Sequence, residues 1–292
     1  METRALGDIT IARAIEMTIA FEATAFFPDT SVEDWTPHIA ELSPHHYVPD
    51  TGMLLFPVQS YVVRTPHYNI LIDTCIGNDK DHSHRPDWHM RTDDSYIKAL
   101  TTQGLSPKDI DYVMCTHLHA DHIGWNTKMI DGRWVPTFPN AKYVISRRDF
   151  EEANAPNQPE HRMAQLQDSL LPIVEAGQAE LVGHDFAIGD EIALQPTPGH
   201  TPDHLAISLE SKGQNAVMSG DLMHSPIQCQ YPEWRAWPDW DPEMARATRR
   251  AFLEQYCETD VLICTAHFPL PSAGRVIHSG NAFRFVYDED QW

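Results

Sequence analysis

The sequence predicts a single α/β domain spanning residues 1–292. Two observations carry this. Short runs rich in Val, Ile and Tyr alternate with stretches of helical period, and no linker, heptad run or internal repeat interrupts them. A buried strand, "DIDYVMCTH", also leads into a turn crowded with ligand-type side chains, "HLHADH". Such turns at C-terminal strand ends are where α/β proteins tend to place their chemistry.

Taken in order, residues 8–20 read as a strand region, and "SYVVRT" and "YNILIDT" as two strands around a Pro-containing turn. Residues 93–104 predict a helix with an acidic start and Gly104 as its stop. "RWVPTFPNAKYVIS" suggests short strands around prolines. In "EHRMAQLQDSLLPIVEAG", Met163, Leu166 and Leu170 fall at helical spacing, and Pro172 ends or bends the helix. "DEIALQPTPGH", "HLAISLES" and "NAVMSGD" read as three strands around tight turns. "DPEMARATRRAFLEQY" is the clearest helix, with Asp241 as N-cap, Pro242 in the first turn, and Ala247, Ala251 and Phe252 along one stripe. "DVLICTAH" closes the series as a buried strand.

Composition narrows the function classes. A net charge of -21 opposes binding to a polyanion, which rests on Lys and Arg neutralising phosphates, so no nucleic-acid partner is expected. The short basic run "RATRR" (246–250) reads as the solvated face of one helix. Mean hydropathy is -0.40 and no apolar run approaches the roughly 20 residues of a membrane span. The first residues break up their apolar side chains with Glu2, Arg4, Asp8, Arg13 and Glu16, unlike a secretory signal, so a cytoplasmic location is expected. Five cysteines without a CxxC pair suit buried, reduced thiols better than a disulfide framework.

The turn after "DIDYVMCT" holds His117, His119, Asp121 and His122 within six positions. On an extended strand end His117 and His119 point the same way, while the following turn swings Asp121 and His122 toward a second point. One ion cannot comfortably use all four and keep a position open, so the spacing suggests two metals. A two-metal site needs about three more ligands at strand ends. His200 in "PTPGHTPDH", Asp221 in "MSGDLMH" and His267 in "ICTAHFP" occupy such places.

Together, "THLHADHIGW", "PTPGHTPDH", "SGD", "CTAH" and the upstream "LIDTCIG" resemble the ordered motifs of the metallo-β-lactamase superfamily. The resemblance implies an αββα sandwich with two divalent metal ions, zinc foremost, at one edge. It assigns His117, His119 and His200 to one ion, Asp121, His122 and His267 to the other, and Asp221 as the bridge. Asp73 would support the site without binding metal. Within the superfamily, "GDLMH", "PEW" and "AHFPLPSAGRV" are most similar to the lactonase and organophosphate-hydrolase branch. His224 stands where quorum-quenching lactonases often carry a tyrosine.

The expected chemistry is hydrolysis of a lactone or carboxylic ester of a small hydrophobic molecule by a metal-bridging hydroxide, oriented by Asp121 and Asp221. His224 is a candidate proton donor or substrate contact, or a histidine of the pocket wall. A phosphotriester hydrolase is the second reading, and a metal-binding protein without turnover the third. Phe26, Phe27, Trp88, Trp125, Trp234, Trp237 and Phe268 are candidate walls of a substrate pocket. The alternatives for these aromatics are core packing or a homodimer contact, and "YPEWRAWPDW" reads as pocket rim or subunit interface, too polar and Pro-rich for core.

Overall fold

The computed structural model describes residues 3–288, so Met1, Glu2 and the end of the tail "NAFRFVYDEDQW" lie outside the described residues. By its own contacts the chain forms two compact units. The first comprises residues 1–16 and 58–186, and the second residues 17–57 and 187–292. The secondary structure is mixed α/β, as expected.

One sheet has the strand order Thr3–Leu6, Ile9–Glu22, Met53–Arg64, Asn69–Ile72, Tyr112–Met114, Lys142–Ser146 and Ala179–Val182, with Tyr47–Val48 paired to Met53–Arg64. Its last four strands run parallel, Ile70 pairing with Tyr112, Tyr112 with Lys142 and Tyr143 with Ala179. A second sheet runs Ala187–Ile188, Ile192–Pro196, Leu205–Ser211, Gln214–Met218, Leu262–Cys264, Ala273–Ser279 and Ala282–Tyr287. There only Gln214–Met218 and Leu262–Cys264 are parallel neighbours. Parallel strands need cover on both faces, which fits the apolar runs "NILI", "YVM" and "LIC".

The helix Pro242–Tyr256 starts as its sequence dictates, with the Asp241 carboxylate accepting from Met244 N at 3.0 Å and Pro242 in the first turn. Its buried stripe differs from the expected one. Ala245, Arg249, Phe252, Leu253 and Tyr256 face inward, and Ala247 and Ala251 are exposed. Alanine sits well on a solvated helix face because its helix propensity is the highest. Burying Phe252 and Leu253 contributes about 1.5–3 kcal/mol each. Arg249 corrects the reading of "RATRR" as wholly solvated, since its side chain is fully buried.

The segment 160–175 is helical with a break. Glu160–Gln165 is α, Leu166–Leu170 is π, and Leu171–Glu175 is α again, with Pro172 in its first turn. Proline has no N–H to give the Asp168 carbonyl. That carbonyl instead accepts from Lys80 Nζ at 3.0 Å and from the Thr127 hydroxyl. Leu170 is buried as its spacing predicts, whereas Met163 is exposed. All five cysteines are free and four of them buried, matching the expectation of reduced thiols.

Candidate metal centre

In the first unit, Asp73 follows the strand Asn69–Ile72 and the histidine-rich turn follows its parallel neighbour Tyr112–Met114. Backbone bonds zip the two strand ends together. Asp73 N donates to Met114 O at 3.0 Å, Thr74 N to His122 O at 2.7 Å, Gly124 N to Cys75 O at 2.7 Å and Trp125 N to Thr74 O at 2.8 Å. This close approach explains Gly124, where a Cβ would meet Ile76 O at 1.8 Å. Asp73 itself has φ 61, a left-handed conformation in which Asp is enriched.

The Asp73 carboxylate is the hub of this half. It accepts from Thr116 N at 2.8 Å, Thr116 Oγ1 at 2.9 Å and His122 Nδ1 at 2.8 Å. Thr116 Oγ1 in turn lies 3.0 Å from His117 Nδ1. Two rings are thereby fixed through Nδ1, which leaves Nε2 of each as the ligating atom. The His117 ring centroid lies 4.6 Å from that of His119 and 4.1 Å from that of His122. Beside them, Glu16 accepts from Ile76 N at 2.8 Å, Gly77 N at 3.3 Å and Trp125 Nε1 at 2.7 Å. Burial pushes its pKa up to about 7, against the pull of those donors.

In the second unit, His200 follows Ile192–Pro196, Asp221 follows Gln214–Met218, and His267 follows Leu262–Cys264. The Asp221 carboxylate reaches several imidazoles. Oδ1 lies 3.1 Å from His267 Nε2, and Oδ2 lies 3.4 Å from His200 Nε2 and 3.1 Å from His224 Nε2. As in the first unit, the ligand rings are held through Nδ1: His200 by Asp239 Oδ1 at 3.0 Å and His267 by the Pro57 carbonyl at 2.9 Å. His204 adds a further brace, its Nε2 accepting from Asp221 N at 3.0 Å. Gly199 precedes His200 at φ 132, where a Cβ would meet Ala245 N at 2.3 Å.

Of the expected ligands, the first unit carries His117, His119, Asp121 and His122, and the second carries His200, Asp221 and His267. Imidazole nitrogen and carboxylate oxygen are the donors that zinc takes, and the Nδ1 bonds of His117, His122, His200 and His267 make Nε2 the donor atom of each ring, so these residues fit divalent metal. His224 is fully buried; burial lowers its pKa, partly opposed by Asp221, so the ring is neutral near pH 7. It therefore braces the Asp221 carboxylate.

The aromatic candidates divide. Phe26 sits edge-on to His224 with ring centroids 5.0 Å apart. Phe27 is buried between Trp35 and Trp234. Trp88 is buried beside Arg85 and His82. Trp125 is buried with its ring stacked on Tyr96, centroids 5.4 Å apart, and its N–H on Glu16. Phe268 belongs to the core of the second unit, packed on Phe285, which corrects its reading as a pocket wall. Trp234 stacks on Tyr231, whereas Trp237 and Trp240 are exposed.

The run "YPEWRAWPDW" is not all rim, because Ala236 and Asp239 within it are buried. Asp239 was not foreseen as part of the site. Burial works against its carboxylate, but the hydrogen bond and charge of His200, then the charge of Arg249, hold its pKa below the usual carboxylate value. A lone aspartate in a Pro-rich loop carries no local signal of this role.

The chain belongs to the metallo-beta-lactamase superfamily, whose family model matches residues 53–267. Among its relatives is an N-acyl homoserine lactonase of Bacillus cereus, 25% identical over 179 residues, a match covering 57% of this chain and 64% of the relative, just under two thirds of that protein. Among solved structures it is similar to AidC, a dizinc quorum-quenching lactonase in complex with a product, N-hexanoyl-L-homoserine. That match has a TM-score of 0.80 and 25% identity, and covers 98% of this chain and 97% of the other. The hydrolase AbOPH of the beta lactamase superfamily shares the fold, with a TM-score of 0.81 at 22% identity over 98% of this chain and 96% of that one. Among the described residues no helix is long and apolar enough to cross a membrane.

Proposed function

We propose that this protein is a binuclear metal-dependent hydrolase that opens the lactone ring of a small hydrophobic molecule, with N-acyl homoserine lactones the foremost class. The observation that carries the reading is the Asp221 carboxylate, one oxygen of which faces His267 while the other faces His200. A carboxylate so placed suits a ligand shared by two ions. Two divalent ions held there, zinc by donor preference, would lower the pKa of a coordinated water and polarise an ester carbonyl.

The chain's own residues supply the rest. Asp73 and Thr116 keep His117 and His122 in the tautomer that presents Nε2. His224 donates to Asp221 Oδ2 and so fixes the plane of that carboxylate. Phe26 and Phe56, their centroids 4.9 Å apart, provide apolar surface beside His224 and His267. Such surface favours an acyl or alkyl group over a charged one. The names of the B. cereus relative and of AidC support the substrate class.

The test is a substrate panel run with measured metal content: N-acyl homoserine lactones, alkyl γ-lactones, aryl esters, methyl paraoxon and a chromogenic cephalosporin. Two metal ions per chain and the highest kcat/KM on lactones are expected. A fully metallated protein that leaves every lactone intact, or prefers the phosphotriester, refutes the reading.

A further inference from the structure

His200 is held by a buried carboxylate that is itself clamped by a buried arginine. Its Nδ1 meets Asp239 Oδ1 at 3.0 Å, and the second oxygen of Asp239 accepts from Ala236 N at 3.1 Å and from the Arg249 guanidinium at 3.4 Å. The Asp239 side chain is 0% exposed and that of Arg249 1%. Arg249 spends its remaining donors on three carbonyls: Nε on Leu222 at 2.9 Å, and Nη1 on Pro232 at 2.7 Å and Trp234 at 3.1 Å. Leu222 directly follows Asp221, so this single guanidinium ties the partner of one ligand to the backbone beside another. The loop also grips His200 by its main chain, with Trp240 N on His200 O at 3.1 Å and Asp241 N on Gly199 O at 2.9 Å.

A buried arginine with these bonds is costly to place, since a guanidinium loses its hydration and must find a partner for each donor. Here every partner is the backbone of a site-forming loop or the carboxylate that holds His200. No core-filling role requires that choice, because the rest of the helix's inward stripe is Ala245, Phe252, Leu253 and Tyr256.

We propose that Asp239, clamped by Arg249, is the positioning residue of His200, and that it sets the affinity of the metal position that takes His200 separately from the other. The other position has its own organiser, since Asp73 holds His122. The inference rests on His200 being a ligand, as in the proposed function. Removing an orienting carboxylate of this type costs about 10–100-fold in metal affinity. Asp239→Asn keeps one acceptor for His200 but places an amide N–H₂ against Ala236 N and Arg249. Arg249→Lys keeps the charge and loses the planar fork.

The decisive experiment is a zinc titration of the metal-free full chain against a competing chelator, with crystals grown at limiting zinc to read anomalous scattering at each position. Asp239→Asn is expected to weaken the His200 position about 10–100-fold and leave the Asp121/His122 position within about 2-fold. Arg249→Lys should give a smaller loss at the same position, whereas Asp73→Asn should weaken both, since Asp73 holds His122 directly and His117 through Thr116. Loss at both positions alike in Asp239→Asn and Arg249→Lys, or at neither, overturns the inference while leaving the ligand set intact. Wild-type protein that binds no zinc at His200 overturns both. Should Asp239→Asn fail to fold, as judged by circular dichroism of the metal-free chain, Arg249→Lys decides by the same criterion.

Discussion

Oδ1 of Asp221 stands 3.1 Å from Nε2 of His267, and no more than one carboxylate oxygen is spent in doing so. The other oxygen is left for His200 and His224. An asparagine offers one carbonyl oxygen and an N–H₂ in place of two anionic oxygens, so it cannot serve both sides. Asp221→Asn is expected to reduce bound metal from two ions toward one and kcat/KM by at least ~100-fold, equivalent to about 3 kcal/mol of transition-state stabilisation. Metal analysis alongside lactone kinetics checks this; two ions retained with near-normal turnover would dismiss Asp221 as the bridge.

His224 separates two roles by pH. As a neutral brace of Asp221 it should contribute to kcat without adding an ionisation to the pH–rate profile. His224→Ala is therefore expected to lower kcat about 10-fold and leave the shape of the profile unchanged. If one limb of the profile vanishes in the variant, the ring is a proton donor instead.

Glu16 gives a stability prediction with a definite sign. Its carboxyl titrates at about 7 in the folded chain against an ordinary value of 4.5, because it is buried. Between those values the folded state holds the proton and the unfolded state does not. Stability from this group is complete below the unfolded value and is lost as pH rises through the folded one. Glu16→Gln should flatten this part of the pH dependence, by on the order of 3 kcal/mol across the window. Urea unfolding of both proteins from pH 4.5 to 8 measures it, and parallel curves would contradict it.

Gly199 permits the turn that presents His200. A methyl group there meets the helix backbone at Ala245, and φ 132 is a conformation side chains rarely adopt. Gly199→Ala should destabilise even the metal-free chain by roughly 2 kcal/mol or more, seen as a lowered thermal midpoint. An unchanged midpoint would mean that the helix start yields without cost.

Metal removal should be felt by the whole protein. The candidate ligands His200, Asp221 and His267 follow three separate strands and are brought together only by folding. Ions that bind only the folded state add stability by mass action, about 4 kcal/mol at a thousandfold excess over Kd. Chelation is expected to lower the thermal midpoint by on the order of 10 °C, with recovery on adding zinc.

The candidate ligand set was legible because each candidate follows a short apolar strand and stands in a turn of Gly, Pro or Asp, features that periodicity and turn chemistry expose directly. Asp73 was legible for the same reason. Asp239 was not, since it lies 39 residues from His200 and looks like any polar loop residue. Arg249 was concealed by its neighbours, because a basic run on a helix usually marks solvent. Only the phase of the helix, set by where Ala245 meets Gly199, turns that one arginine inward. Phe268 shows the other limit, for nearness in sequence to a candidate ligand does not say which way a ring points.

Within "WPDW" the indoles of Trp237 and Trp240 stand in solvent while the carboxylate of Asp239 is sealed inside. Freedom to vary and obligation to stay alternate here along a few residues of one loop. A library aimed at new substrates can randomise positions 237 and 240, whereas any change at 239 reaches His200. Evolvability in this loop is thus parcelled residue by residue.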